Sequence, residues 1–358
     1  MIRILLPLLL LCLSLTGCVK QDILEKTTIS FVSAFDEAPG DQLELTLAPP
    51  KFQAGKSRTV SNLLLSKVGH TSRSITELMN MQLNRPIKTG KISVVLIGKA
   101  VAAKGISNEL DVLLRDALAS RKMYVAIVDG EAKKVLQTNF SSNLEKGMYL
   151  FDLLDTNVRT GLVPRANLND FEYAYLGKGM DPFLPILGLR GDQAVISGLA
   201  LFKDDRYVSS LNEQQMRVVK LLRENAKYGV LEARLQDGTY FAVKNVGSKV
   251  KYRVSRDKNR PSLLITLRLN AEVIDSKGIR LTGLEHRRFQ DSLEKELGTT
   301  GTGLIRQFQK DGIDPLGLGD IVRSKTRHWS EAAWKQAYPA ANVSLKVHVV
   351  LTETGIRK

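Results

Sequence analysis

Cysteine is scarce in this sequence, and its scarcity limits the kinds of site that the chain can hold. The 358 residues contain two cysteines, Cys12 and Cys18, and Cys12 lies inside an apolar run at the N-terminus. If that run is removed on export, one cysteine is left. A single cysteine excludes an intramolecular disulfide and a thiolate metal site. The fold then depends on its hydrophobic core, which a chain of this length is able to supply.

Long apolar runs are absent after residue 18. The longest stretches, such as Val94–Ile97 and Leu263–Ile265, are only as long as β-strands. A membrane-spanning helix needs about 20 consecutive apolar residues. The sequence after the N-terminal run therefore predicts no segment that crosses a bilayer.

Patterns typical of catalytic and metal sites are also missing. The chain has four histidines whose separations fit no metal-binding motif. They are His70, His286, His328 and His348. Glycine pairs such as Gly177 and Gly179 lack the Lys-Ser/Thr sequence of a phosphate-binding loop, and no serine lies in a nucleophile elbow. The sequence therefore predicts a protein without a metal, without a cofactor and without enzymatic activity.

The N-terminus has the features of a bacterial lipoprotein signal. Arg3 precedes an apolar run from Ile4 to Leu15, which is too short to span a bilayer and typical of a secretory signal peptide. The run ends in Leu15-Thr16-Gly17-Cys18, which is the residue order of a lipobox. Residues 1–17 are predicted to be removed, and Cys18 is predicted to become an N-terminus anchored by several acyl chains. The alternative is an ordinary secreted protein whose signal happens to contain a cysteine.

The chain is strongly basic, with 52 Lys and Arg residues against 37 Asp and Glu residues and a formal net charge of +15. Such a charge attracts nucleic acids or anionic membranes. Export argues against a nucleic acid, and an anionic membrane surface is therefore the predicted partner. Solubilising charge scattered over the surface is the alternative.

One cluster of these cations is a candidate contact for a partner or for lipid. Lys249, Lys251 and Arg253 alternate along a predicted strand, which places them on one face. Arg256, Lys258 and Arg260 follow in the turn before Pro261. A solvated strand edge, protected by its lysines from unwanted pairing, is the alternative interpretation.

The first half of the mature chain, residues 18–190, is predicted to be an α/β region. Two short apolar runs, Ile92–Ile97 and Met123–Val128, predict buried strands. Between them, apolar residues recur at helical spacing over residues 110–118. Strand, helix and strand at this spacing predict a βαβ unit with a parallel strand pair. Glycine and proline punctuate the later part of this region, and residues 140–190 form a candidate second subdomain.

Residues 191–358 are predicted to form an α+β domain, in which an antiparallel sheet carries long helices. The division from the first region is placed between Leu187 and Gln193. The predicted elements are a hairpin (Ala194–Phe202 and Tyr207–Ser209), a helix (Leu211–Lys227), five strands (Val230–Leu235, Tyr240–Val246, Val250–Val254, Leu263–Ile274 and Leu345–Leu351) and a helix (Glu285–Gln309). We expect the last helix to be interrupted at Thr299–Gly303.

Several segments in order along the chain resemble the Ger(x)C family, the lipoprotein subunits of bacterial spore germinant receptors. They are Gly90–Lys99, Ala102–Asn108, Leu110–Asp116, Ala126–Ala132, Gly198–Asp204 and Asp314–Gly319, with Trp329, Trp334 and Tyr338 behind the last. The family also carries a Trp-Asp pair after the lipidated cysteine. Here Val19-Lys20-Gln21-Asp22 stands instead, which indicates a divergent branch.

The resemblance implies a three-part mixed α/β architecture and a location on the outer face of the spore inner membrane. It also implies an accessory role as the C subunit beside integral membrane A and B subunits, in a receptor that small nutrients trigger. The family offers no catalytic residues to carry over. The alternatives are a solute-binding lipoprotein of a transporter, which has two similar doubly wound lobes around a cleft, and, third, an envelope enzyme.

Overall fold

The computed structural model describes residues 26–51, 61–161, 163–255, 262–280 and 282–353. The signal peptide, the lipobox residues Leu15, Thr16 and Gly17, and the lipidation site Cys18 lie outside the described residues. So do Arg256, Lys258 and Arg260.

The helices and strands are numbered in chain order. The strands are β1 (Thr28–Ile29), β2 (Val32–Ala38), β3 (Gln42–Leu47), β4 (Pro50–Lys51), β5 (Ser61–Asn62), β6 (Leu65–Gly69), β7 (Ile87–Lys88), β8 (Val94–Gly98), β9 (Tyr124–Val128), β10 (Phe183–Arg190), β11 (Gln193–Lys203), β12 (Arg206–Asn212), β13 (Val230–Arg234), β14 (Tyr240–Val254), β15 (Ser262–Asp275) and β16 (Asn342–Glu353). The α-helices are α1 (Ser72–Asn80), α2 (Lys99–Lys104), α3 (Ser107–Arg115), α4 (Ala132–Gln137), α5 (Lys146–Arg159), α6 (Leu168–Leu176), α7 (Glu213–Arg223), α8 (Gly283–Asp311), α9 (Leu318–Lys325) and α10 (Glu331–Ala337).

An eight-stranded sheet, in the order β12-β11-β10-β9-β8-β2-β3-β6, forms the first layer of the protein. Strands β2, β8, β9 and β10 run parallel at its centre, and antiparallel pairs complete both sides. The predicted βαβ unit is confirmed, because β8 pairs with β9 in parallel from Val94 to Gly98. Both strands are buried along their whole length, which explains why their sequences are continuously apolar and β-branched.

Helices cover both faces of this sheet. Val95 and Ile97 point to a core that includes residues of α1, α2, α3 and α6. Their neighbours Val94 and Leu96 point to the opposite core, which α4 and α5 close. Alternate residues of one strand thus supply two separate cores, as the pleat of a strand requires.

The second sheet has the order β13-β14-β15-β16 and packs on the long helix α8. Strands β13, β14 and β15 are antiparallel, as predicted, but β16 pairs with β15 in parallel over its whole length. Helix α8 lies between β15 and β16 in the chain and forms the crossover that a parallel pair needs. The mixed α/β and α+β fold class is confirmed, and this parallel pair is the part that strand alternation did not reveal.

The expected interruption of α8 at Thr299–Gly303 is wrong, since the helix is continuous from Gly283 to Asp311. A Cβ atom on Gly301 would lie 2.5 Å from Leu345 Cδ2 and 3.3 Å from Leu222 Cδ1. Gly301 therefore allows the helix to pack closely against β16 and α7. Close packing, and not a break in the helix, accounts for the glycine at this position.

The division expected near residue 190 falls in the hairpin between β10 and β11, where Arg190 pairs with Gln193. Strands β11 and β12 continue the eight-stranded sheet past this point. Residues 140–190 supply α5, α6 and β10, and β10 joins the same sheet through β9. The division of the chain at residue 190 into separate domains stays a prediction.

Candidate functional site

A β-bulge in β14 determines which of its side chains face solvent. The pairing of β14 with β15 shifts between Asn245 and Gly247. Before the bulge the even-numbered residue Lys244 is exposed, and after it the odd-numbered residues are exposed. A bulge adds one residue to a strand and so reverses the alternation of its side chains. For this reason Lys249, Lys251 and Arg253 all face solvent.

The exposed residues of three neighbouring strands meet on one side of the second sheet. Each exposed residue of β14 lies beside one residue of β15, which in turn lies beside one residue of β16. The three rows across the sheet are Lys249, Arg268 and His348; Lys251, Thr266 and Lys346; and Arg253, Leu264 and Ser344. We call these nine residues the basic face. It contains five Lys or Arg residues and no Asp or Glu.

Carboxylates in the described part of the chain do not neutralise the cations of the basic face. Among the residues that the structure describes, none of the five forms an ion pair. This differs from Lys99, Lys133 and Arg288, each of which contacts a carboxylate within 3.0 Å. An unpaired cluster of like charge produces a positive potential that extends into the solvent.

The other side of the same three strands is buried. Residues such as Ile265 and Leu267 are at most 1% exposed and belong to a core that includes Phe289 and Phe308 of α8. The basic face is therefore backed by a packed helix layer, which holds its three strands in one register.

The structure brings the three predicted contact residues together and adds two more cations. Lys249, Lys251 and Arg253 were predicted to share a face, and they do. Arg268 and Lys346 were missed, because they lie on other strands and enter the face only through the pairing of β14, β15 and β16. His348 is also exposed, on the same side of the sheet.

The alternative interpretation of Lys249, Lys251 and Arg253 as a protected strand edge is supported in part. Strand β13 pairs with β14 only from Tyr240 to Lys244. From Lys251 onwards, β14 has β15 as its one strand neighbour in the described part of the chain. Lysines near such an edge oppose pairing with other chains. Edge protection does not account for Arg268, which lies in the middle of β15 between two paired strands.

A second cluster, at the segment Asp314–Gly319, is buried and structural. The two carboxylate oxygens of Asp314 accept hydrogen bonds from the backbone N–H groups of Leu318 at 2.9 Å and Gly319 at 2.8 Å. Gly317, which directly precedes these two donors, adopts the left-handed conformation at φ 69°. Asp314 thus caps the start of α9. This geometry is that of a turn required by the fold, and it leaves the Asp314 carboxylate engaged within the protein.

Asp181 joins three distant segments around that turn. Its carboxylate accepts hydrogen bonds from the backbone N–H of Asp314 at 2.7 Å and from Lys203 Nζ at 3.2 Å. Lys203 Nζ also donates to the carbonyl oxygen of Gly312 at 2.8 Å. The loop before β10, the end of β11 and the turn after α8 are therefore connected by one polar network. We call Asp181, Lys203, Arg223 and Asp314 the carboxylate junction.

Burial shifts the pKa of two members of the carboxylate junction, Asp314 and Arg223. Desolvation raises the pKa of Asp314 to about 7, although its two backbone hydrogen bonds act in the opposite direction. Desolvation also lowers the pKa of Arg223, whose guanidinium lies 5.0 Å from the ring centroid of Phe183 and donates to the carbonyl oxygen of Pro315. These groups are enclosed by protein and hold elements together.

The glycine pair Gly177 and Gly179 also serves packing in this region. A Cβ atom on Gly179 would lie 2.6 Å from the carbonyl carbon of Gly319, and Gly179 has φ 73°. The backbone N–H of Asp320 donates to the Gly179 carbonyl oxygen at 2.9 Å. The close approach of two backbones explains the glycine at position 179.

Within the described ranges, no cluster of three or more His, Cys, Asp or Glu residues could hold a metal ion. His286 contacts the carbonyl oxygen of Leu351 at 3.1 Å, and His70 contacts Gln42 at 3.4 Å. Within those same ranges, none of the helices has the length and apolar character that a bilayer crossing requires.

Comparison with known proteins relates both halves of the chain to spore germination proteins. A family model described as "Spore germination protein N-terminal domain" matches residues 20–189, and one described as "Spore germination B3/ GerAC like, C-terminal" matches residues 197–355. The spore germination protein GerQC of Bacillus cereus is 26% identical over 352 residues, which are 97% of this chain and 98% of the relative. The putative spore germination protein YfkR of Bacillus subtilis (strain 168) is 23% identical over 374 residues, covering 97% of this chain and 95% of the relative.

A solved structure shares the fold. The crystal structure of the GerBC protein matches with a TM-score of 0.57 at 16% sequence identity, covering 92% of this chain and 99% of that chain. The order of motifs along the sequence had indicated the same family, and the two family models confirm it over nearly the whole chain. The chain therefore belongs to the GerAC-like family of spore germination proteins.

Proposed function

We propose that this chain is the lipid-anchored C subunit of a spore nutrient germinant receptor. The observation that carries the proposal is the match of two successive family models, which together span residues 20–355. The names of the relatives associate such proteins with spore germination. The role is one of binding and assembly, not of catalysis.

The lipid anchor would hold the folded part close to the membrane. The lipobox ends at Cys18, and the described part of the chain begins at Lys26. Eight residues span at most about 28 Å when fully extended. Acyl chains on Cys18 would therefore keep the protein on the outer face of the cytoplasmic membrane, which is the inner membrane of the spore. There it would contact integral membrane A and B subunits and couple nutrient binding to the response.

Replacement of Cys18 tests the anchor directly. We expect the Cys18→Ala variant to incorporate no acyl chains, to leave the membrane fraction and to abolish the nutrient response of spores that depend on this receptor. Lys122→Ala, at an exposed residue of the described part of the chain, is the control and should leave all three properties unchanged. Full receptor assembly and a full nutrient response from Cys18→Ala spores would contradict the proposal.

The solute-binding alternative has less support in the fold. Such proteins consist of two similar doubly wound lobes around a cleft. Here an eight-stranded sheet with helices on both faces is followed by a four-stranded sheet with a single parallel pair. The two sheets differ in strand number and direction, so they do not form a pair of similar lobes.

A further inference from the structure

We propose that the basic face docks on the anionic headgroups of phospholipids, so that the second sheet lies against the membrane surface. The proposal names the surface by which the proposed anchored subunit contacts its membrane, and in this respect it rests on the proposed function. The nine residues of the face are those defined above, in three rows across β14, β15 and β16.

The charge of the basic face complements an anionic membrane. Five of its nine residues are Lys or Arg, and within the described ranges none of them is paired with a carboxylate. Cations that already form ion pairs gain little from a second anion, whereas unpaired ones keep their full attraction. A cation close to an anionic leaflet contributes about fivefold to binding. The five cations together are therefore sufficient for measurable docking.

The shape of the face allows all five cations to contact the membrane at once. Neighbouring strands lie about 4.8 Å apart, and alternate residues along a strand lie about 7 Å apart. The five side chains therefore leave one side of a sheet within a patch of roughly 10 by 14 Å. A flat bilayer surface can approach all of them within one Debye length, which is about 8 Å at physiological ionic strength.

The composition of the face favours lipid over an acidic protein. The centres of protein interfaces are enriched in Tyr, Trp, Phe and Met and depleted in Lys. The basic face has three lysines and no aromatic residue other than His348, and its partly exposed apolar residue is Leu264. Lysine clusters at a membrane surface are instead typical of contact with anionic lipids. We therefore assign the face to lipid.

The anchor would make this docking effective even where each contact is weak. Once acyl chains on Cys18 hold the protein at the membrane, the basic face binds the same membrane at a high effective concentration. Docking would then fix which surfaces of the protein point along the membrane, towards neighbouring integral subunits, and which point away.

Vesicle binding of the unlipidated protein tests the face separately from the anchor. The protein is the chain from residue 18 to residue 358 with Cys18→Ala, and the probes are vesicles of phosphatidylcholine alone or mixed with phosphatidylglycerol. We expect sedimentation with the mixed vesicles only, and loss of binding as salt is raised. The triple variant Lys249→Glu, Lys251→Glu, Lys346→Glu should lower binding at least tenfold.

A second triple variant controls for net charge. Lys91→Glu, Lys122→Glu, Lys310→Glu changes the net charge by the same amount at exposed residues on other segments. We expect it to lower binding less than threefold. Both triple variants are checked for native circular dichroism and for an unchanged unfolding midpoint. Equal losses of binding for the two triples would show that only total charge acts, and would overturn the proposal.

The remaining outcomes separate this proposal from the proposed function. Absence of binding to anionic vesicles by the parent protein overturns docking on lipid. If the triple variant of the basic face then also fails to co-purify integral membrane subunits from spore membranes, the partner of the face is an acidic protein surface. If vesicle binding is lost only in the face triple, but Cys18→Ala spores respond normally, the lipid docking stands and the anchored-subunit function fails.

Discussion

Asp314 is a carboxyl group held away from water, and its protonation should make stability depend on pH. Its pKa is raised to about 7 in the folded protein, while an aspartate in an unfolded chain titrates near 3.9. Between these values the folded state binds the proton and the unfolded state does not. Stability is therefore lost as pH rises from about 4 to about 7, by at most about 1.4 kcal/mol per pH unit, and is constant above that range.

Comparison with Asp314→Asn isolates this contribution. The asparagine amide cannot titrate. Its NH2 group also replaces one of the two oxygens that accept backbone hydrogen bonds, so the variant should be less stable overall. Urea unfolding across this pH range should show that the stability advantage of the native protein shrinks as pH rises. A difference that stays constant with pH, or that grows, would contradict the buried, protonated state of Asp314.

The sequence did not indicate that Asp181 belongs to the carboxylate junction. It lies in a glycine-rich stretch with no periodic pattern, and its hydrogen-bond partner Asp314 is 133 residues away in the chain. Asp314 itself stood out only as part of the segment Asp314–Gly319 that carries the family resemblance, although a proline and two glycines there are typical of a turn. Its burial could not be predicted, since burial depends on how β10, β11 and α8 come together.

At the scale of elements, the continuity of α8 makes a prediction about its glycines. Gly303 is exposed in the helix interior, and a Cβ atom there would meet nothing within 4 Å. Gly303→Ala should raise the free energy of unfolding by about 1 kcal/mol, because alanine has the higher helix propensity. Urea unfolding measures the change.

Gly301, two residues earlier in the same helix, provides the matched control. A side chain there meets Leu345 and Leu222, so Gly301→Val should lower the free energy of unfolding by about 1 to 3 kcal/mol through overpacking. If the helix were interrupted at this point, Gly303→Ala would give no stabilisation, and both substitutions would have similar small effects.

Elements with local patterns were predictable, and those that depend on distant partners were not. Strands β8 and β9 are short, continuous apolar runs, and both were found. Strand β10 was missed, because Pro185 and Gly188 interrupt it in sequence, although it pairs with β9 and β11. The basic face was found in part, because its β14 cations alternate locally. Arg268 joins it only through the pairing of β15 with β14, and Lys346 only through the parallel pairing of β16 with β15.

At the scale of the whole molecule, the lipid anchor and the family are indicated by the sequence, and the arrangement of the second sheet is known from the structure. The lipid anchor rests on the lipobox alone, since Cys18 lies outside the described residues. The fold and the family were both anticipated from the order of motifs along the chain. The arrangement of the second sheet, with one side packed on α8 and the other side basic, could only come from the structure.

An affinity pull-down tests whether the protein assembles with integral membrane subunits. The tagged full-length protein is purified from gently solubilised spore membranes, with an untagged strain as the control, and its partners are identified by mass spectrometry. We expect recovery of a polytopic, transporter-like protein together with a second integral membrane subunit. Recovery of an ATP-driven permease, or of no integral membrane protein, would contradict this assembly.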